Sequence, residues 1–137
     1  MYDKPDAQQL IEAVNQHLEG ELLTLAKATN PKLYFQTLVA IHVLKIVARE
    51  IESVDADLEA EWQDLDRLMN MGKMPHTNQK ILSALTIQKD QLCQQIRSGE
   101  RDQDAGLFAY LEASCLRQLK VANPRLLETM KNEPPVL

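Results

Sequence analysis

Residues 33–51, LYFQTLVAIHVLKIVAREI, constrain the fold more than any other stretch of this chain. The preceding pair Asn30-Pro31 is typical of a helix start, because Asn caps free amides and Pro needs no hydrogen-bond partner in the first turn. At about 100° per residue, the polar side chains form only one narrow strip, which consists of His42, Lys45 and Arg49. Apolar side chains occupy more than half of the circumference. We therefore expect a mostly buried central helix over 31–53.

The composition favours helices throughout. Of 137 residues, 45% are apolar, 26% are charged and only 4% are aromatic, and there are four glycines. Such a chain has much helix-forming material and little for turns between strands. Its length suits one core. We predict an all-α fold with a single domain over 1–137, an antiparallel bundle of about five helices around the central helix, with a frayed tail at 132–137.

Capping and breaking residues place the other helices. Asp6 followed by Gln9 fits a capping box, Gly20 marks a bend or stop, Gly99 suits a helix end, and Asp104 suits a start. Asn123-Pro124 should end the helix that begins after Asp104. The predicted helices cover 6–27, 31–53, 56–70, 77–98, about 105–122, and one or two turns within 125–131. Apolar residues recur at helical spacing in four of these helices and form one stripe in each: Leu10, Val14, Leu18, Leu22 and Leu25; Leu58, Trp62, Leu65 and Met69; Ile81, Leu85, Leu92 and Ile96; and Leu107, Leu111, Cys115, Leu119 and Ala122.

Net charge limits the classes of partner. The formal charge is -5, and residues 1–70 carry 6 basic and 13 acidic side chains whereas 71–137 carry 9 and 7. A nucleic-acid binder needs clustered Lys and Arg, so that class is set aside. Eight acids lie between Arg49 and Arg67 without an intervening base. They form either a solvated helix face or a docking surface for a basic partner.

The sequence indicates a cytoplasmic protein. No secretory signal is visible in the first residues, and the longest apolar stretch is interrupted by His42 and Lys45 and is too short to span a bilayer. Cys93 and Cys115 allow only one pair, which does not make a disulfide framework. We expect both to be buried, reduced thiols. No membrane association is predicted.

No pattern typical of catalysis or metal binding is present. His17, His42 and His76 lack the Glu-x-x-His unit of di-iron bundles and the spacing of zinc ligands. Asp55-x-Asp57 resembles the opening of a calcium loop, but the required glycine is replaced by Ala60. A nucleophile elbow and a phosphate-binding glycine loop are also missing. We predict no catalytic residues, no metal and no cofactor, which leans against an enzyme without excluding a site assembled from dispersed residues.

The polar strip of the central helix has two interpretations. His42, Lys45 and Arg49 can be its solvent face, or they can contact a phosphate or carboxylate. The second interpretation gives an alternative function, in which an acyl or phosphate-bearing small molecule binds between helices, with a minor enzymatic role still open.

Three stretches together carry a family resemblance. They are MYDKP at 1–5 leading into LIEAV at 10–14, IRSG at 96–99, and LKVANPRL at 119–126. In this order they resemble an uncharacterised bacterial all-helical family, a domain of unknown function often encoded beside or fused to aminoglycoside-phosphotransferase-like kinases and acyl-CoA dehydrogenases. The likeness runs nearly end to end. In the central helix this chain departs from it, with FQTL at 35–38 where members have an arginine.

Helices this apolar commonly pair, so a homodimer is compatible with either function. The resemblance implies a non-catalytic accessory domain, a partner of an acyl-CoA dehydrogenase and a phosphotransferase-like kinase. It brings no catalytic residues. For its motif residues we hypothesise a recognition surface at one end of the bundle, formed by Tyr2, Asp3, Arg97, Asn123 and Arg125. The same residues can equally serve as helix ends and caps.

Overall fold

The computed structural model describes residues 4–133 and confirms an all-α helical bundle. Tyr2 and Asp3 and the tail at 134–137 lie outside the described residues. The elements are α1 (Ala7–His17), a π-helical turn (Leu18–Leu22), α2 (Leu23–Thr29), α3 (Pro31–Met69), α4 (Asn78–Ser98), α5 (Ala105–Ala122) and α6 (Pro124–Asn132). No strand occurs within 4–133. The chain divides into two compact units, the N-terminal unit Met1–Ser53 and the C-terminal unit Val54–Leu137. The predicted single domain stays a prediction.

Local signals position most helix ends as predicted. The Asp6 carboxylate accepts from the Gln9 amide at 2.9 Å and the Gln9 side chain accepts from the Asp6 amide at 3.0 Å, which completes the capping box. Asn30 Oδ1 accepts from the amides of Lys32 and Leu33 at 3.1 and 3.2 Å. Gly99 adopts φ 85°, the left-handed conformation that ends α4. Each interaction spans only a few residues, and sequence patterns capture such contacts well.

The predicted break between 53 and 56 is wrong, because α3 continues to Met69. No Gly or Pro interrupts 52–57, so nothing disfavours helical geometry there. Asp55 does not cap a new helix; its carboxylate accepts from the Asn78 side-chain amide at 2.7 Å. The helix ends instead where the Asp66 carboxylate accepts from the amides of Met71 and Gly72 at 2.6 and 3.1 Å.

The N-terminal unit buries few apolar side chains. Ala26 and Ile41 are its buried apolar residues within the described part of the chain, and Asn15 and Thr37 are buried with them. The π-helical turn contains Gly20, at the position where the sequence predicts a bend. The predicted apolar stripe of the first helix is only partly packed, since Leu18 and Leu22 are half-buried whereas Leu10, Val14 and Leu25 are 45%, 51% and 61% exposed.

The prediction of a mostly buried central helix over 31–53 is wrong for its outer side. The buried residues Thr37 and Ile41 lie on one side, and on the opposite side Val39, Val43 and Val47 are 45%, 49% and 36% exposed. An apolar helix surface indicates that something covers it, but the pattern does not identify the covering element. In this chain one face is packed and the other remains exposed.

The main hydrophobic core lies in the C-terminal unit. It contains eight buried residues from α3, α4 and α5: Leu58, Trp62, Leu65, Ile81, Leu85, Leu92, Leu107 and Tyr110. The predicted stripes of α3 and α4 supply most of them. The face predicted for α5 is only partly buried, because Leu107 is buried but Leu111 is 41% exposed and Cys115 is exposed. Tyr110 and Ser114 point inward in their place.

Arg101 fastens the turn between α4 and α5. Its guanidinium donates to Gln95 Oε1 at 2.8 Å, to Asp104 Oδ2 at 2.7 Å and to the Leu68 carbonyl at 3.2 Å. The hydrogen bond from Arg101 lowers the pKa of the Asp104 carboxyl. One side chain therefore ties the C-terminal end of α3 to the α4–α5 turn.

Leu65→Ala tests the position of the core. Leu65 is fully buried, so its truncation should lower the free energy of unfolding by about 2–5 kcal/mol. Leu82 is 52% exposed on α4, and Leu82→Ala should change it by less than about 1 kcal/mol. Urea unfolding followed by circular dichroism measures both, and equal losses would contradict this core.

Candidate functional site

Glu61 is the centre of a buried charged cluster in the C-terminal unit. Glu61 as a whole residue is only 7% exposed. Oε1 accepts from the Tyr110 hydroxyl at 2.5 Å, the Ser114 hydroxyl at 3.2 Å and the Lys89 ammonium at 3.0 Å. Oε2 accepts from Arg117 at 2.5 Å. A carboxylate removed from water is stable only when donors replace the water, and here four side chains do so.

The cluster extends to the surface through Asp64. Arg117 donates its second terminal nitrogen to Asp64 at 2.6 Å, and Asp64 also accepts from the more exposed Arg67 at 3.0 Å. Glu61 and Asp64 lie on α3, Lys89 lies on α4, and Arg117 lies on α5. The cluster therefore links three helices by charge-assisted hydrogen bonds, which are stronger than neutral ones.

Electrostatics in the cluster fix the protonation states. Burial by itself raises the pKa of Glu61, but hydrogen bonds from Arg117, Tyr110 and Lys89 outweigh it and bring the pKa down to about 2. Burial, followed by the neighbouring Glu61 carboxylate, raises the pKa of Tyr110. Burial lowers the pKa of Arg117, but its bonds to Glu61 and Asp64 give a net rise. Near neutral pH Glu61 therefore stays ionised and Tyr110 stays protonated, unlike a general acid or base with a pKa near the working pH.

This cluster changes the interpretation of the acidic segment. Four of its eight acids contact other parts of the C-terminal unit: Asp55, Glu61, Asp64 and Asp66. They are neither a purely solvated face nor a free docking surface. A sequence signal was present, because Glu61 lies three residues after Leu58 and four before Leu65, inside the apolar stripe.

A second candidate site is a surface cleft of about 390 Å³ in the N-terminal unit. Lys45 and Arg49 line it, but exposed His42 is not among its lining residues. Lys45 is paired with Glu19 at 2.9 Å. The lining also includes Glu12 and Glu52, so its acids outnumber its cations and the predicted anion contact is weakened. Asn15 lines the same cleft with a buried Oδ1 that has no hydrogen-bond partner.

Among the described residues of the predicted recognition surface, Arg97 lies apart from Asn123 and Arg125. Tyr2 and Asp3 lie outside the described residues, so the surface as a whole stays a prediction. Arg97 lies in the last turn of α4, next to the turn that leads into α5. Asn123 and Arg125 follow the other end of α5, whose 18 residues span roughly 27 Å. Asn123 has a local role, because its side chain caps α6 by accepting from the Leu126 amide at 3.2 Å.

Exposed apolar side chains include groups on α5 and on the outer side of α3. On α5, Phe108 and Leu111 are 70% and 41% exposed, and Cys115 is exposed beside them. At about 100° per residue these three fall within about 60° of the helix circumference and form the α5 face. On α3, Phe35 is 66% exposed and continues the exposed valine side. Buried thiols were expected, but Cys93 and Cys115 are both exposed and free.

Metal and membrane features are absent from the described part of the chain. Within 4–133, no group of three or more His, Cys, Asp or Glu side chains is arranged to hold a metal ion. In the same range, no helix combines the length and the apolar character needed to cross a bilayer.

The comparison with known families gives a clear match. Residues 27–126 match the family described as Domain of unknown function (DUF6285), which covers well over half of the chain. The chain belongs to this family. The DUF6285 match includes α3, α4, α5 and the start of α6, and therefore all of the Glu61 cluster. No curated protein and no solved structure matches the chain.

A pH series tests the cluster. Because the folded pKa of Glu61 is about 2 and the ordinary value is 4.5, its ionised form stabilises the protein above pH 4.5. That contribution, roughly 3 kcal/mol, should be lost as the pH falls from 4.5 towards 2. The free energy of unfolding measured by urea at each pH should follow this course.

Glu61→Gln should remove most of this pH dependence and should itself destabilise the protein, because Arg117 then loses one of its two carboxylate partners and keeps only Asp64. The matched control is Glu59→Gln, two residues away and exposed. Glu59→Gln should leave the decrease of the unfolding free energy between pH 4.5 and pH 2 unchanged. If both variants show the same pH dependence, the buried position of Glu61 is contradicted.

Proposed function

We propose that this chain is a non-catalytic accessory domain that docks onto an enzyme partner in the cytoplasm of a bacterium. Following the family resemblance, the partner is an acyl-CoA dehydrogenase-like enzyme that acts together with a phosphotransferase-like kinase. The observation that carries the proposal is the α5 face, where Phe108 is 70% exposed. Large exposed aromatic side chains are typical of interaction surfaces, in which they act as anchors.

The Glu61 cluster supports the same proposal from another direction. It holds the polar groups that could most readily serve catalysis, but Glu61 is paired with four donors and has a pKa of about 2. Such a carboxylate is a poor base near neutral pH. The cluster stabilises the packing of α3, α4 and α5, and this rigid support can position the α5 face for a partner.

Co-purification of the tagged protein from its own host tests this function. The native protein should retain a dehydrogenase-like or kinase-like partner in mild salt, and Phe108→Asp should reduce the recovered partner by at least tenfold. The matched control is Leu82→Asp, which places the same charge on an exposed leucine of α4. Its recovery should be unchanged. If the native protein is recovered alone, or if both variants retain the partner equally, the proposal fails.

The cleft in the N-terminal unit favours a second candidate function, the binding of a small molecule. Asn15 has a buried carbonyl oxygen without a donor, and an unpaired buried polar atom costs about 1–3 kcal/mol. A ligand with a hydrogen-bond donor could satisfy it after a small adjustment. Since both cations and acids line the cleft, the ligand would carry donors in addition to its acyl or phosphate group.

A thermal-shift screen separates this candidate from the first. The panel contains CoA esters and phosphorylated hydroxy acids, each present at a large excess. A ligand at 100 times its dissociation constant should add about 2.7 kcal/mol to the free energy of unfolding. The shift should be lost in Lys45→Ala, which lines the cleft, and kept in Lys80→Ala on α4. Absence of a shift across the panel would contradict ligand binding.

A further inference from the structure

On the outer side of α3 in the N-terminal unit, a row of exposed apolar residues is flanked by two opposite charges. We define the outer stripe as four exposed apolar residues between two exposed charges: Lys32, Phe35, Val39, Val43, Val47 and Glu50. Lys32 and Glu50 are 18 residues apart, which is about five helical turns, so they lie on the same line along the helix. The four apolar residues lie within about 60° on either side of that line, and exposed Gln36 and half-buried Ile46 lie in the same sector. The buried residues Thr37 and Ile41 are on the opposite side.

The outer stripe reads the same in both directions except for the sign of its charges. Starting from either end, a charge is followed three residues later by an apolar residue and four residues after that by another. A twofold axis between Val39 and Val43 therefore places Phe35 of one copy opposite Val47 of a second copy. The same operation places Lys32 opposite Glu50 at both ends. Self-complementary patches of this kind are what an isologous dimer requires.

Charge selects the direction of this pairing. In an antiparallel arrangement each end of the outer stripe joins a lysine to a glutamate. In a parallel arrangement Lys32 meets Lys32 and Glu50 meets Glu50, and like charges at close range are unfavourable. A helix that paired with an unrelated protein would have no need for this matched spacing.

We propose that a second copy of this chain covers the outer stripe, packed antiparallel about a twofold axis between Val39 and Val43. The surface is separate from the α5 face, so the inference stands apart from the proposed enzyme partner. The apolar residues supply the driving force for association, since side chains at 36% to 66% exposure leave the solvent. Lys32 and Glu50 fix the direction and the register.

The oligomeric state of the full chain tests the dimer. Sedimentation equilibrium should give twice the monomer mass of 15.6 kDa. Val43→Glu places two like charges beside the axis and should yield a monomer with unchanged helix content, because Val43 is exposed within the chain. The matched control is Leu82→Glu, an exposed leucine on α4, which should remain dimeric. A native chain that stays monomeric at several hundred micromolar would overturn the proposal.

A charge-reversal cycle tests the direction. Lys32→Glu and Glu50→Lys each create two like-charge contacts in the antiparallel dimer, and each should raise the dissociation constant about tenfold at low salt. The double variant restores opposite charges and should return to within about threefold of the native value. In a parallel dimer neither reversal creates a new like-charge contact and the double variant gains nothing. If the chain dimerises but the double variant does not recover the native dissociation constant, the antiparallel arrangement is overturned. If Val43→Glu leaves the dimer intact, another surface forms the dimer and the proposal fails.

Discussion

The removal of the Glu61 carboxylate from water is the constraint on which the C-terminal unit depends. A buried charge without partners would cost several kcal/mol, so the fold must bring donors to it. Tyr110, Ser114 and Arg117 face inward on α5 for this reason, and Lys89 arrives from α4. The rotation of α5 about its own axis follows from this requirement. Leu111 and Cys115 consequently lie on the exposed side.

The two units differ in how many of their apolar side chains they bury. The C-terminal unit encloses eight buried residues and adds a satisfied charged cluster. Within the described part of the chain, the N-terminal unit buries only Ala26 and Ile41 among its apolar side chains. Much of the apolar helix surface of the N-terminal unit is therefore exposed. The outer stripe is part of this exposed surface, whereas the α5 face belongs to the C-terminal unit and lies on the side of α5 that turns away from its core.

Short-range interactions account for what the sequence predicted well. The Asp6 capping box, the Asn30 cap, the Gly99 end and the Asp104 start each involve residues a few positions apart. Asn123-Pro124 ends α5 as expected. Such contacts depend little on the rest of the fold, so the pattern alone is sufficient. The all-α class follows from the same signals.

Long-range contacts account for what the sequence did not reveal. Glu61 meets Tyr110 and Arg117 across 49 and 56 residues, and no local pattern encodes such a meeting. Spacing alone predicts a face of leucines on α5, of which Leu107 is buried and Leu111 is exposed. In fact Leu107 lies next to a polar row of Tyr110, Ser114 and Arg117 that serves Glu61. For the candidate surfaces, the periodicity predicts apolar helices but does not predict which face of each helix is exposed.

The Glu61 cluster also limits how this chain can change over evolutionary time. Loss of Arg117 alone leaves two acids without their shared cation, and loss of Glu61 alone leaves a mostly enclosed guanidinium with Asp64 as its remaining carboxylate partner. Either intermediate is less stable than the start or the end of the exchange, since a matched apolar set can replace a buried ion pair at little net cost. Within the family, positions 61 and 117 should therefore be inherited as a unit and exchanged together.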